Sequence, residues 1–111
     1  MGRNFTAVAS AARTTTGTSG TLDAPEGFDL VLSANVTAAS GTTPTLDLSV
    51  EWSSDGGTTW YTADPVDTFT QITAASARVK RFTSKGTEYR VRWTIGGTTP
   101  SFTFAITETT F

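Results

Sequence analysis

Apolar and polar side chains take turns along most of this chain. Leu30, Leu32, Ala34 and Val36 occupy every second position, and Leu46, Leu48, Val50 and Trp52 do the same with Asp47, Ser49 and Glu51 between them. The pattern returns in Tyr89, Val91, Trp93 and Ile95, spaced by Arg90, Arg92 and Thr94. It returns again in Phe102, Phe104 and Ile106, where Thr103, Ala105 and Thr107 take the outer positions. A period of two puts alternate side chains on opposite faces of an extended strand, so each run predicts a strand with one buried and one wet face. Weaker strand character marks residues 6–13, 59–63, 67–73 and 78–83. Nothing repeats at the helical period, and Ala74, Ala75, Ser76 and Ala77 have room for one helical turn at most. Turn chemistry interrupts the runs at 17–20, 24–27, 40–44, 55–57, 84–86 and 96–100. The prediction is an all-β fold, a single antiparallel β-sandwich (jelly-roll or Ig-like) of about eight strands. Residues 1–18 make an N-terminal arm or first edge strand, and 19–111 the β-sandwich domain. The expected core is Leu30, Leu32, Leu48, Val50, Trp52, Val91, Trp93, Phe102, Phe104 and Ile106.

One stretch has an echo. Gly41-Thr42-Thr43-Pro44 precedes the run that starts at Leu46, and Gly97-Thr98-Thr99-Pro100 precedes the run that starts at Phe102. The pair predicts two equivalent hairpins with the same loop, emerging at one edge or end of the sandwich. Glycine supplies the unusual φ and proline starts the outgoing strand where no ladder donor is needed. Duplication and convergence both account for it. The loop threonines Thr42, Thr43, Thr98 and Thr99 are candidate interaction residues.

Ser53-Ser54-Asp55-Gly56-Gly57-Thr58-Thr59-Trp60 matches the Asp-box pattern S-x-D-x-G-x-T-W at Ser53, Asp55, Gly57, Thr59 and Trp60. The physics is local: the aspartate accepts from turn amides and the glycines take positive φ. The expected role is a structural hairpin. A calcium or sugar contact at Asp55 is the sharper alternative. Asp-boxes occur in sialidases and in non-enzymatic β proteins, and the sialidase arginine, tyrosine and carboxylate set is missing here.

Composition narrows the chemistry. The 111 residues contain neither cysteine nor histidine, which removes disulfides, thiolate metal sites, the usual general base and the commonest imidazole ligand. Asp47 and Glu51 share a strand face but lie roughly 13 Å apart, too far for a glycosidase dyad. Asp64 and Asp67 flank Pro65 in what reads as a solvated loop, with a weak calcium site as the alternative. No enzyme, no metal and no cofactor is expected. The net charge is −2, from 8 basic and 10 acidic residues, which offers nucleic acid no electrostatic footing despite the cluster of Arg78, Lys80, Arg81, Lys85, Arg90 and Arg92. A two-signed surface suits docking among subunits better. No apolar run is long enough for a membrane span. Charged residues make up only 16%; Thr supplies the missing polarity at about a quarter of the chain, against a far smaller share in ordinary proteins. In so Thr-rich a chain, the M-G-x-x-x-[ST] start and the sequons at Asn4 and Asn35 are expected by chance. The start also lacks the apolar stretch of a secretory signal.

Residues 1–18 carry only Phe5 and Val8 as bulky apolar side chains after the first methionine. Two expectations follow. The segment lies on a neighbouring subunit, with Arg3, Phe5 and Arg13 making contact, or it is the first strand of its own sheet.

The stretches SAARTTTGTSGTLDAP, VTAASGTTPTLDLSVEWSSDGGTTWY and YRVRWTIGGTTPSFTFAI resemble small virion proteins of tailed bacteriophages. The resemblance covers most of the chain. It implies a virion sandwich domain and a bacteriophage structural protein, foremost an outer capsid decoration or cement protein that stabilises the shell. The implied partners are the major capsid protein or other virion subunits, with a homo-oligomer as an option and no nucleic acid or membrane. The implied location is the outer capsid surface of the virion, after synthesis in the host bacterial cytoplasm. The alternatives are a tail or head–tail connector structural protein and a carbohydrate-binding host-attachment module, whose aromatic platform would have to come from Trp60 and Tyr61. The resemblance brings no catalytic residue.

Overall fold

The alternating runs form strands, but longer ones than their spacing predicts. In the computed structural model, which describes residues 3–24 and 29–110, the strands are β1 (Arg3–Arg13), β2 (Gly17–Thr18), β3 (Leu22–Asp23), β4 (Asp29–Ser53), β5 (Tyr61–Thr68), β6 (Ser76–Thr83) and β7 (Glu88–Thr110). They form one open, seven-stranded antiparallel sheet in the order β1-β7-β4-β5, with β2 and β3 also paired to β7, and β6 to β4. The fold is all-β. No described residue is helical, and the turn expected at 74–77 is a bend leading into β6. Residues 25–28 of the turn region after β3, the first two residues of the chain and the Arg3 side chain lie outside what is described.

The strand count differs because the two GTTP segments are not hairpin loops. They sit inside β4 and β7, which run antiparallel to each other from Leu30↔Thr110 to Ser53↔Glu88. Thr42 of the first segment faces Thr98 of the second, between register shifts on either side. Each segment is thus a bulge, and the bulges oppose one another. Gly41 (φ 114°) and Gly97 (φ 110°) explain why glycine is needed. A Cβ on Gly41 would lie 2.8 Å from the Thr99 carbonyl oxygen and 2.9 Å from Pro100 Cα, and one on Gly97 would lie 2.7 Å from the Thr43 oxygen and 3.0 Å from Pro44 Cα. Thr43 and Thr99 both take φ 45°, which costs a β-branched residue on the order of 1–3 kcal/mol. Each places its hydroxyl 2.8 Å from the preceding carbonyl, Thr43 on Thr42 and Thr99 on Thr98.

This opposition divides the sheet into two wings. Wing one holds the amino segment of β4, the carboxyl segment of β7, and β1 and β6 on its edges. Wing two holds the carboxyl segment of β4, the amino segment of β7, and β5, β2 and β3 on its edges. Exchanging β4 with β7, β1 with β5, and β2 and β3 with β6 converts one wing into the other. The two-part likeness therefore extends from the loops to the order of the elements, as a duplicated unit requires.

The long strands are bent. The 25 residues of β4 would span about 80 Å if straight, yet the longest dimension of the molecule is 41 Å. In β7 the Tyr89 hydroxyl donates to Glu108 Oε1 at 2.6 Å across 19 positions, and Trp93 meets Phe104 edge to face at 5.5 Å between ring centroids. Every residue expected in the core is buried, joined by Val8, Leu46, Phe69, Ile72, Phe82 and Tyr89. Burying each large side chain contributes roughly 1.5–3 kcal/mol.

The N-terminal alternatives resolve toward the chain's own sheet. β1 pairs with the carboxyl segment of β7 from Arg3↔Thr110 to Arg13↔Phe102, and Val8 reaches the core. The segment contributes more to the core than its small side chains suggest, because the register shift between Thr6 and Val8 turns Val8 inward, opposite Ile106.

Candidate functional site

The Asp-box residues close the turn between β4 and β5. Ser53 is buried at the end of β4, and its hydroxyl donates to Asp55 Oδ1 at 2.8 Å while accepting from Gly57 N at 3.0 Å. Asp55 Oδ1 also accepts from Thr59 N at 2.9 Å. These bonds favour the ionised form, so the Asp55 carboxyl titrates below its ordinary value, chiefly through the Thr59 amide and then the Ser53 hydroxyl. Gly57 has φ 92°, and a Cβ there would meet Thr21 Oγ1 at 2.7 Å. Trp60 lies under the Arg90 guanidinium, 4.5 Å from ring centroid to Cζ, and Arg90 Nε pairs with Glu51 at 2.7 Å. One face of the half-buried Trp60 is therefore taken by Arg90, and the neighbouring Tyr61 is 62% exposed.

Asp67 has a different place from the loop expected of it. It belongs to β5, accepts the Trp52 indole N–H at 2.8 Å and pairs with Lys85 Nζ at 2.9 Å. Lys85 in turn lies 5.5 Å from the Trp52 ring. A buried indole needs an acceptor, and Asp67 is that acceptor. Among the described residues, no group of His, Cys, Asp or Glu side chains is arranged to hold a metal ion.

Arg13 is likewise engaged within the chain. Its guanidinium donates to the carbonyls of Ala9 at 2.8 Å and of Ala11 and Phe104 at 3.0 Å, beside the β1 bulge. It also lies over the Trp93 and Phe104 rings, at 4.9 and 4.6 Å. Burial lowers its pKa. The guanidinium closes the core where Trp93 reaches the edge, with Gly17 packed on the same indole. Phe5, 45% exposed, lies at the β1 edge opposite Glu108. Thr42, Thr43, Thr98 and Thr99 are all exposed on the GTTP band. The structure thus gathers the four threonines at one place and keeps Phe5 and Arg13 apart from them on β1.

The broadest unassigned feature is the outer face of wing one. Register rows across it read Thr6–Thr107–Ser33–Val79, then Asn4–Thr109–Val31–Arg81, then Ala105–Asn35–Ala77. Arg81 is the charge on these rows, and Asp29, opposite Thr83 at the rim, lies 3.6 Å from it. The β1 edge beside it carries no charge between Arg3 and Arg13 and no proline. The other edges are guarded: β6 by Arg78, Lys80 and Arg81, β5 by Pro65, and β2 and β3 by being two residues long. Alternation alone marks the outer positions of β4 and β7, but which edge strands flank them follows only from the pairing.

No protein-family model, curated protein or solved structure matches this chain.

Proposed function

We propose that the two wings stack as the layers of a β-sandwich and that the protein is a structural component of a tailed-bacteriophage virion, an outer capsid decoration or cement protein. The observation that carries the docking part of this reading is the outer face of wing one. It is built from Thr, Ser, Ala, Asn and Val on paired strands. Such side chains lose little rotamer freedom on contact, and a hydrogen-bonded sheet is already rigid, so docking costs little ordering entropy. The shell protein is the partner, met through this face and the adjoining β1 edge. Each contact is modest in area, and repetition over the shell supplies the stabilisation. The sequence resemblance to small virion proteins supports the same reading. A glycan platform is less well supported, because Arg90 already occupies one face of Trp60.

Imaging purified virions with and without the protein tests the proposal. The expected result is density on the outer shell that disappears in its absence; density confined to tail or vertex overturns the decoration role. Thr107→Arg in the outer face of wing one is expected to abolish shell binding with an unchanged melting temperature, whereas Thr94→Arg in wing two is expected to preserve binding.

A further inference from the structure

Backbone pairing in this sheet has an unusual distribution. Among the described residues, every strand ladder joins a residue of 3–53 to a residue of 61–110: β1, β2, β3 and β4 to β7, and β4 to β5 and β6. The isolated bridge Leu46↔Ile72 crosses the same divide. So do the loop bonds Ser19 N to Val91 O, Ala24 N to Thr87 O, Phe69 N to Leu48 O and Thr87 N to Ser53 O. Neither half has a ladder of its own. The halves are joined at one place, the Asp-box turn of residues 54–60, between the facing pair Trp52 and Tyr61.

We infer that the interface between the halves is also a self-association surface: the further partner it fits is a second copy of this chain, taken up by exchange of halves with the 54–60 turn opened as the hinge. In the exchanged dimer, residues 3–53 of each copy pair with residues 61–110 of the other, and every ladder of the monomer is remade. The two forms differ in the hinge and in the entropy of bringing two chains together, which is why exchange of whole elements is a low-cost route to a dimer. The closed turn opposes it through the Ser53, Asp55, Gly57 and Thr59 bonds and through Gly56 N on Glu88 Oε1 at 3.1 Å. Exchange leaves the outer face of each wing intact, so a dimer presents any docking face twice. The inference rests on the pairing alone and stands or falls independently of a role in a virion.

The chain has no cysteine, so introduced thiols report cleanly. Ser49 and Arg92 face each other across β4 and β7 on the outer side of wing two. Full-length Ser49→Cys and Arg92→Cys chains are mixed, unfolded, refolded together at high concentration and oxidised. The expected product is a disulfide-linked pair of the two chains whose yield rises with protein concentration during refolding. It is also expected to exceed the yield from Ser49→Cys with Thr107→Cys, positions on different wings. A yield no higher than that control overturns the inference, whatever the second variant does. That variant is the full chain lacking residues 54–60, in which Trp52 and Tyr61 have no room for a closed hairpin. A folded species of twice the monomer mass supports exchange, and a folded monomer overturns it.

Discussion

The two wings are alike inside and unlike outside. Both bury alternating side chains: Leu32, Ala34, Val36, Phe102, Phe104 and Ile106 in wing one, and Leu46, Leu48, Val50, Trp52, Val91 and Trp93 in wing two. Outside, wing two carries Asp47, Glu51, Arg90 and Arg92 on β4 and β7, where wing one has Ser33, Asn35, Ala105 and Thr107. Part of that difference starts in the core. Wing two uses indoles, which need polar partners: Trp52 requires Asp67, and Asp67 is neutralised by Lys85. Wing one fills its interior with Phe, Leu and Ile, which ask for nothing polar, apart from Glu108 and Thr110 near its end. The two wings share their pairing and differ in their faces, and the outer face of wing one confines its charge to the Asp29–Arg81 rim.

The largest effect should be shared. Phe104→Ala in wing one and Trp52→Ala in wing two are each expected to cost about 3–5 kcal/mol in denaturant unfolding, as for aromatic side chains truncated in a core. If either costs no more than a surface change, the likeness of the interiors is broken. The next effect should separate the wings. Asp67→Ala strands the Trp52 N–H and is expected to cost about 1–3 kcal/mol, against less than about 0.5 kcal/mol for Asn35→Ala on the outer face of wing one. Smaller again is the Glu51–Arg90 pair. A double-mutant cycle is expected to give a coupling of about 0.5–1 kcal/mol that shrinks in molar salt; an unchanged coupling would mean that packing against Trp60, not charge, holds the pair.

The smallest effect lies at the turn. Asp55 has a depressed folded-state pKa, so its contribution is present above its ordinary unfolded value and is lost as pH falls through the folded value. In Asp55→Asn, stability should fall less steeply with acid over that window than in the unaltered chain. Parallel acid titrations of unfolding midpoint would show the turn bonds to be inconsequential.

The buried face was readable because alternation is a local property, and the strong runs placed their apolar residues inside, with Ile95 half-buried at the end of its run. The GTTP segments were not, because Gly, Thr and Pro look the same in a hairpin loop and in a bulge. What distinguishes them is that Gly41 packs on Thr98, Thr99 and Pro100, a partner far away in the chain. Arg13 and Asp67 misled for a related reason. A charge reads as solvated or partner-seeking until the bulge carbonyls of Ala9 and Ala11, or the Trp52 indole, are known to lie beside it. Glu108 was within reach: extending the alternation of Phe102, Phe104 and Ile106 by one step puts it inside. The Asp-box was readable as a structural turn because the Ser53, Asp55, Gly57 and Thr59 bonds stay within a few residues, whereas the bond from Gly56 N to Glu88 joins it to a distant strand.

The central place of β7 also sets the order of events during synthesis. The ribosome releases the chain from its amino end at about 5–20 residues per second, so β1 to β4 emerge before the strand they all pair with exists. β5 and β6 reach β4 first, but until β7 clears the exit β1, β2 and β3 have no strand to pair with and β4 lacks its longest partner. Contacts this distant in sequence also slow folding once the chain is complete. Pausing late in translation, or crowding several ribosomes on one message, would therefore lower the yield of soluble protein without altering the stability of the molecules that do fold.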